Sequence, residues 1–165
     1  MRHRSLRVTA LVSAAFAGAA LGIALIAESW GGVVPCALCL LERWPYRIAF
    51  VLGLAAAVVP PRYARWLLIL LAMSILVGAG LAFVHVGVEF GWWPSPLPEC
   101  AAPRFSGGSI AQRLAAMPAR PAKPCDAPTF LIPGLPVSMA AMNLVFASTF
   151  FVLLAFSLDR RPRGR

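Results

Sequence analysis

Three long apolar runs, residues 8–27, 66–86 and 137–158, set what this chain can become. A helix rises about 1.5 Å per residue, so a hydrocarbon layer of about 30 Å takes roughly 20 residues to cross. Each run meets that length. A fourth apolar stretch, residues 48–59, is too short by itself, covering only about 18 Å at that rise. Extended back to fill the bilayer, it begins at Leu40 and takes in Glu42, Arg43 and Arg47. The expected spans are therefore 8–27, 40–59, 66–86 and 137–158, with Cys39 at the membrane boundary. Composition agrees: 60% of the 165 residues are hydrophobic, 13% are charged, and the mean hydropathy is +0.79. A soluble domain is nearer half apolar and a quarter charged. The expectation is an all-α integral membrane protein: a single domain, residues 1–165, forming a four-transmembrane-helix bundle.

The net charge of +9 would suggest nucleic acid in a soluble protein, but here the basic residues flank the apolar runs. No nucleic-acid partner is expected; the lipid bilayer is. If four helices alternate, Arg2, Arg4, Arg7, Arg62, Arg65, Arg160, Arg161, Arg163 and Arg165 share one side. With Asp159, nine less one gives +8 there. The other side holds six basic residues and five acidic ones, +1. Lysine and arginine stay cytoplasmic, so both termini are expected inside and all four cysteines outside or at the outer boundary. The opening MRHRSLR followed by a small-residue apolar run also has the make-up of a cleaved signal. Its apolar part is longer than such signals use, and an uncleaved helix is the favoured reading.

Two outer loops follow, residues 28–39 and 88–136. The second is rich in proline, which fixes φ and removes a backbone donor, so long helices or strands are not expected in it. One piece escapes. Ser109 with Gln112 three residues on is a capping-box pattern, and Pro118 is a stop. A short helix over 109–117 would place Ile110, Leu114 and Met117 on one face, lying on the outer leaflet or packed on the other loop.

The stretch VVPCALCLLERWPYRIAF, residues 33–50, joins thiols, charges and an apolar run. Disulfides persist outside the cytoplasm, so redox pairing is the first hypothesis for Cys36, Cys39, Cys100 and Cys125. Two residues between Cys36 and Cys39 let a disulfide open and close with little backbone movement, and a helix start lowers a thiol pKa. Cys39 lies nearer the helix and is the expected thiolate. Arg43, one turn on, would favour its ionised form; the rival reading is an arginine snorkelling to headgroups. Arg47 is expected to anchor or pair, Glu42 to be solvated, and Trp44, Tyr46, Trp92 and Trp93 to mark the interface. His85, inside a span, is costly there and a functional candidate. A hydrogen-bonded structural histidine is the equal alternative, with Glu89 pairing to it or meeting water. Zinc would want a repeated CxxC or a histidine at ligand spacing, so no metal is expected. A purely structural Cys100–Cys125 bond, stapling an irregular loop by a few kcal/mol, is a serious rival to redox use.

Three segments carry a family resemblance: PCALCLLERWPYR at the second span, HVGVEFGWWPSPLPEC after the third, and PCDAP with GLPVSMAAMN before the fourth. Together they resemble the DsbB family, the bacterial inner-membrane disulfide bond formation proteins. The resemblance covers most of the chain and implies an electron route. A DsbA-like, thioredoxin-like periplasmic oxidase would exchange with the Cys100–Cys125 disulfide through Cys100. Cys125 would then exchange with Cys36, freeing Cys39 beside a quinone, ubiquinone or menaquinone, drawn from the membrane pool. Arg43 and His85 match family positions near the quinone. The layout implied is a multi-pass inner-membrane protein with cytoplasmic termini and periplasmic cysteine loops. Arg47 has no role assigned by the family's core motif. Two other functions are weighed: a non-enzymatic tetraspan scaffold with structural disulfides, and a reductase of the vitamin K epoxide reductase type. In the latter the quinone-facing pair comes late in the bundle, whereas here it opens the second span.

Overall fold

The computed structural model describes residues 2–100, 109–115, 123–131 and 134–159. Four long helices carry it: α1 (Arg2–Ser29), α2 (Ala37–Val58), α3 (Pro61–Glu89) and, after a short α4 (Ile110–Ala115), α5 (Met139–Asp159). A single 3-10 turn covers Pro98–Cys100. Among the described residues the only β pairing is an isolated antiparallel bridge between Phe130 and Ser138.

The turns follow from local chemistry. After α1, Gly31 N–H and Trp30 N–H both reach the Ile26 carbonyl, and Gly32 takes φ 64°, a left-handed value that suits glycine. Between α2 and α3 only Val59 and Pro60 intervene. Pro61 opens α3 at a position where a missing N–H costs nothing, and Tyr63 and Ala64 donate to the Pro60 carbonyl. So short a link makes α2 and α3 antiparallel neighbours.

Small residues bring α1 and α2 together. Ala10, Ala14 and Ala17 on α1 are buried, as are Ala49, Gly53 and Ala56 on α2. A Cβ at Gly53 would lie 2.9 Å from Ala14 Cβ and 3.1 Å from the Ala10 carbonyl oxygen. Such spacing lets backbones approach where lipid offers no hydrophobic drive to association. Pro45, inside α2, faces α3: Gly78 leaves room for its ring, and Ser74 Oγ donates to the Pro45 carbonyl at 3.0 Å. Larger side chains, Leu68, Leu71 and Ile75 of α3, fill the centre. Helix α2 packs on both α1 and α3, and α3 packs on α5, while α1 and α5 stand further apart and are bridged by Phe16 edge-on to Phe146 and Phe150. The bundle is therefore open along the α1–α5 side.

Three helices, α1, α3 and α5, are long and apolar enough to cross a membrane. α2 carries three charged residues in its first half, yet its outward face shows Leu40, Trp44, Ile48, Val51, Leu54 and Val58. Two of the charges, Glu42 and Arg43, turn inward. The capping box at Ser109 forms as the sequence predicts, with Ser109 N–H donating to Gln112 Oε1 and Gln112 N–H to Ser109 Oγ. The helix is described over Ile110–Ala115, and the Leu114 and Met117 side chains, part of its expected apolar face, lie outside the described residues.

Candidate functional site

Cys36 is the N-cap of α2. Its Sγ accepts from Cys39 N–H at 3.2 Å and lies 2.8 Å from Cys39 Sγ, so the pair is a dithiol one small movement from a disulfide. The sequence places the stabilised thiolate at Cys39, nearer the helix. The structure gives the N-cap position to Cys36. The Cys39 thiol, first, and then its backbone N–H point at Cys36 Sγ and hold the Cys36 thiol below its ordinary range, against the opposing effect of burial. A cap residue, not the first residues inside the helix, receives the free N–H groups.

Glu42 is not solvated. It is 6% exposed, and its Oε1 lies 2.7 Å from His85 Nδ1 while its Oε2 accepts from Asn143 Nδ2 at 2.6 Å. Tyr46, expected in the interfacial belt, is buried and donates to Asn143 Oδ1 at 2.5 Å. The cause is helical register: Glu42, Tyr46, Ala49 and Gly53 recur at four, three and four residues, so the face that meets α1 and α3 also carries the carboxylate. Glu89, expected near His85, instead accepts from Ser138 Oγ at 2.5 Å. His85 Nε2 is left facing Cys36 Sγ at 3.5 Å.

Arg43, 9% exposed, directs Nη1 to Glu28 Oε2 at 2.7 Å. Arg47 is exposed with its guanidinium over the Trp44 ring, 5.2 Å from the centroid, which agrees with an anchoring or pairing role. Sequence reasoning missed Glu28 and Asn143. A signal for Asn143 was present, since an amide inside an apolar helix needs partners; for Glu28 there was none, because it reads as an ordinary helix-end acid.

Cys100 and Cys125 form a disulfide with Cα atoms 5.0 Å apart, and both sulfurs are buried. They share one apolar cluster with Cys36, Leu38 and Val88, and Cys39, Trp93 and Leu97 pack against it. Trp93, expected at the interface, is the anchor of this loop. Its Nε1 donates to the Val84 carbonyl at 3.0 Å, and its ring occupies the space over Gly87, where a Cβ would stand 2.0 Å from Cζ2. Trp92 stays exposed. All four cysteines thus meet at one end of the bundle.

A cavity of about 420 Å³ adjoins them, within the usual size of a small-molecule pocket. Apolar residues of α1, α5 and the segment 129–131 form most of its wall. Its polar groups are few: Cys39, Arg43, Glu28, Glu42, His85, and the Tyr46–Asn143 pair. It lies on the side where α1 and α5 stand apart. Cys36 Sγ, Cys39 Sγ and a His85 ring nitrogen fall within 4.8 Å of one another, a juxtaposition that spacing along the chain does not reveal.

The family model described as "Disulfide bond formation protein DsbB" matches residues 6–157. An uncharacterized protein of Rickettsia prowazekii (strain Madrid E) is 30% identical over 84% of this chain and 80% of its own length. A protein of Actinobacillus pleuropneumoniae serotype 5b (strain L20), called disulfide bond formation protein B, is 35% identical over 60% of this chain. That match spans 56% of the relative. No solved structure matches the chain.

Proposed function

The chain belongs to the DsbB family of disulfide bond formation proteins, membrane thiol–disulfide oxidoreductases, and from that footing we propose a quinone-dependent protein thiol oxidase. It reoxidises a periplasmic thioredoxin-like, DsbA-like donor. The observation that carries this reading is the meeting of two cysteine pairs in one buried cluster, with the CxxC pair on the rim of an apolar cavity. A stapled scaffold has no need to bring its staple against a second dithiol.

The cavity fits the group the reading requires. Apolar walls suit a quinone ring with its isoprenoid tail, and Cys39 supplies a thiol, Arg43 hydrogen-bond donors and His85 an imidazole beside it. When bound, a quinone, ubiquinone or menaquinone, supplies the acceptor for two electrons and two protons. The chain's own part is thiol exchange. A donor thiolate attacks Cys100 Sγ; the Cys100–Cys125 bond breaks, and Cys125 leaves as thiolate. The donor's second thiol then resolves the mixed disulfide, so the donor departs oxidised and the Cys100–Cys125 pair is a dithiol. Cys125 next attacks Cys36 of an oxidised Cys36–Cys39 pair, releasing Cys39 as thiolate at the cavity. Cys100 attacks Cys125, restoring the outer disulfide and leaving Cys36 reduced. In the structure Cys100 and Cys125 are bonded while Cys36 and Cys39 are free, the same pairing as in that product. His85 Nε2 stands where it can take the Cys36 proton, and Glu42 holds the imidazole in place through Nδ1. Arg43, fixed by Glu28, keeps further N–H donors for the cavity.

Four spans in a bacterial inner membrane complete the reading, with both termini cytoplasmic and the cysteine loops periplasmic. Support comes from the apolar outward face of α2, whose Glu42 and Arg43 are turned into the bundle, and from the one-sided arginines. The test is direct. Purified protein with a short-chain quinone should oxidise a reduced thioredoxin-like dithiol protein catalytically, and Cys39→Ser should abolish turnover. Normal turnover by Cys39→Ser would sink the mechanism.

A further inference from the structure

Two thiols and an imidazole converge at the head of α2 with their donor atoms inside 4.8 Å. Their geometry can be set against that of a tetrahedral zinc ion. Zinc–sulfur bonds of about 2.3 Å and zinc–nitrogen bonds of about 2.0–2.1 Å put sulfur about 3.5 Å from nitrogen and the two sulfurs about 3.8 Å apart. Cys36 Sγ and His85 Nε2 are already 3.5 Å apart. The sulfurs stand at 2.8 Å, so Cys39 Sγ has to swing outward by about 1 Å to meet that spacing. Cys39 is the less buried of the two and borders the cavity, which gives it the room.

The surroundings match a metal site as well as the ligands do. A ligating histidine ordinarily gives its other ring nitrogen to a carboxylate, which fixes the tautomer and raises ligand basicity. Here Glu42 Oε1 meets His85 Nδ1 at 2.7 Å, and Asn143 holds the second carboxylate oxygen. Nε2 is thereby left with its lone pair toward the sulfurs. The fourth tetrahedral position is open to the cavity.

We propose that the reduced Cys36–Cys39 pair and His85 form a site for a thiophilic divalent cation, Zn²⁺, with Glu42 orienting the histidine. Binding replaces both thiol protons, which are released, and moves no electrons. The site exists only in one redox state. Once the sulfurs are bonded to each other, both thiolate ligands are gone. A bound cation therefore holds the dithiol reduced and takes it out of exchange, which makes the cation an inhibitor that recognises the electron-loaded protein.

Cobalt(II) is the probe, because tetrahedral thiolate coordination gives intense ligand-field bands and a sulfur-to-cobalt charge-transfer band. The full chain in detergent micelles, with Cys100→Ser and Cys125→Ser to remove the other thiols, is reduced, freed of reductant and titrated. The expected result is one Co²⁺ per chain with both band types, erased by Zn²⁺. The same protein with Cys36–Cys39 oxidised should bind none, a comparison that needs no further variant. Zn²⁺ should also shield Cys36 and Cys39 from maleimide in reduced protein with all four cysteines present. His85→Ala should shift the bands and weaken binding. Glu42→Gln should keep the bands while lowering affinity about 10–100-fold, the usual cost of losing such a supporting carboxylate. The proposal is overturned by absent bands in the reduced protein, by equal binding in the oxidised protein, or by His85→Ala leaving spectrum and affinity unchanged. None of these readouts depends on turnover with a quinone, so they stand apart from the oxidase assay.

Discussion

Asn143, near the start of α5, donates Nδ2 to Glu42 Oε2 of α2 at 2.6 Å, across 101 residues of sequence. Its other amide atom, Oδ1, accepts from Tyr46. One amide thus ties the last long helix to the second at the level of the redox pair. Asn143→Leu is expected to destabilise the protein by about 1.5–3 kcal/mol, the cost of a lost hydrogen bond to a charged group. Tyr46→Phe removes only a neutral donor and should cost about 1 kcal/mol. Unfolding in detergent micelles ranks the two; a Tyr46→Phe loss equal to that of Asn143→Leu would mean that the Glu42–Asn143 bond adds nothing beyond the Tyr46–Asn143 bond.

Arg43 is held by Glu28, so the two should act on the acceptor side of the reaction. Arg43→Ala is expected to raise the apparent KM for a short-chain quinone while leaving the rate of exchange with the dithiol donor near its starting value. Glu28→Gln should give a smaller rise in the same direction, because the guanidinium stays and loses only its orienting partner. Steady-state kinetics with each substrate varied in turn separates these outcomes. An effect confined to the dithiol KM would move Arg43 out of the cavity role.

Gly87 has no room for a side chain, since a Cβ there would overlap the Trp93 ring. Gly87→Ala should destabilise by about 1–3 kcal/mol, as overpacking does. It should also slow exchange between Cys125 and Cys36, because Trp93 anchors the loop that carries Cys100. Adding Trp93→Ala to Gly87→Ala removes the overlap and the anchor together, so the exchange rate should stay low while the combined stability loss falls short of the sum of the single losses. Quenched-flow trapping of the thiols, beside thermal unfolding, distinguishes the two losses.

Gly53 and Gly80 offer a contrast on the helix surfaces. A Cβ at Gly53 meets α1 at 2.9 Å, whereas one at Gly80 meets nothing within 4 Å. Gly53→Leu should separate α1 from α2 and lower the unfolding temperature sharply. Gly80→Leu should leave it unchanged or raise it slightly, since glycine is the weaker helix former.

Three of the long helices, α1, α3 and α5, were legible because length and apolarity alone specify them, and so were the proline-marked turn at Pro60–Pro61 and the Ser109–Gln112 cap. The inward turn of Glu42 was less accessible. A carboxylate near a helix end reads as solvated unless its register with Ala49 and Gly53 is followed, and its partners lie on α3 and α5, far away in sequence. The choice between Cys36 and Cys39 as thiolate rested on which residue caps the helix, a boundary that sequence places only to within a few residues. Trp93 illustrates the same limit: tryptophan beside a membrane span suggests a headgroup anchor, and only the packing on Gly87 identifies a loop clasp.

The clasp and the head of α5 together decide how far each outer sulfur can travel. Thr129 accepts from Met139 N–H at 2.7 Å, and Phe130 bridges Ser138, pinning the chain soon after Cys125. Extended backbone covers at most about 3.3–3.6 Å per residue, so the four-residue tether from Thr129 lets Cys125 range about 14 Å. The seven-residue tether from Trp93 gives Cys100 about 25 Å. In the proposed relay, when the bond between them opens, the longer rope follows a docked protein outward while the shorter one keeps its sulfur at home beside Cys36. The proposed order of the relay follows those two chain lengths.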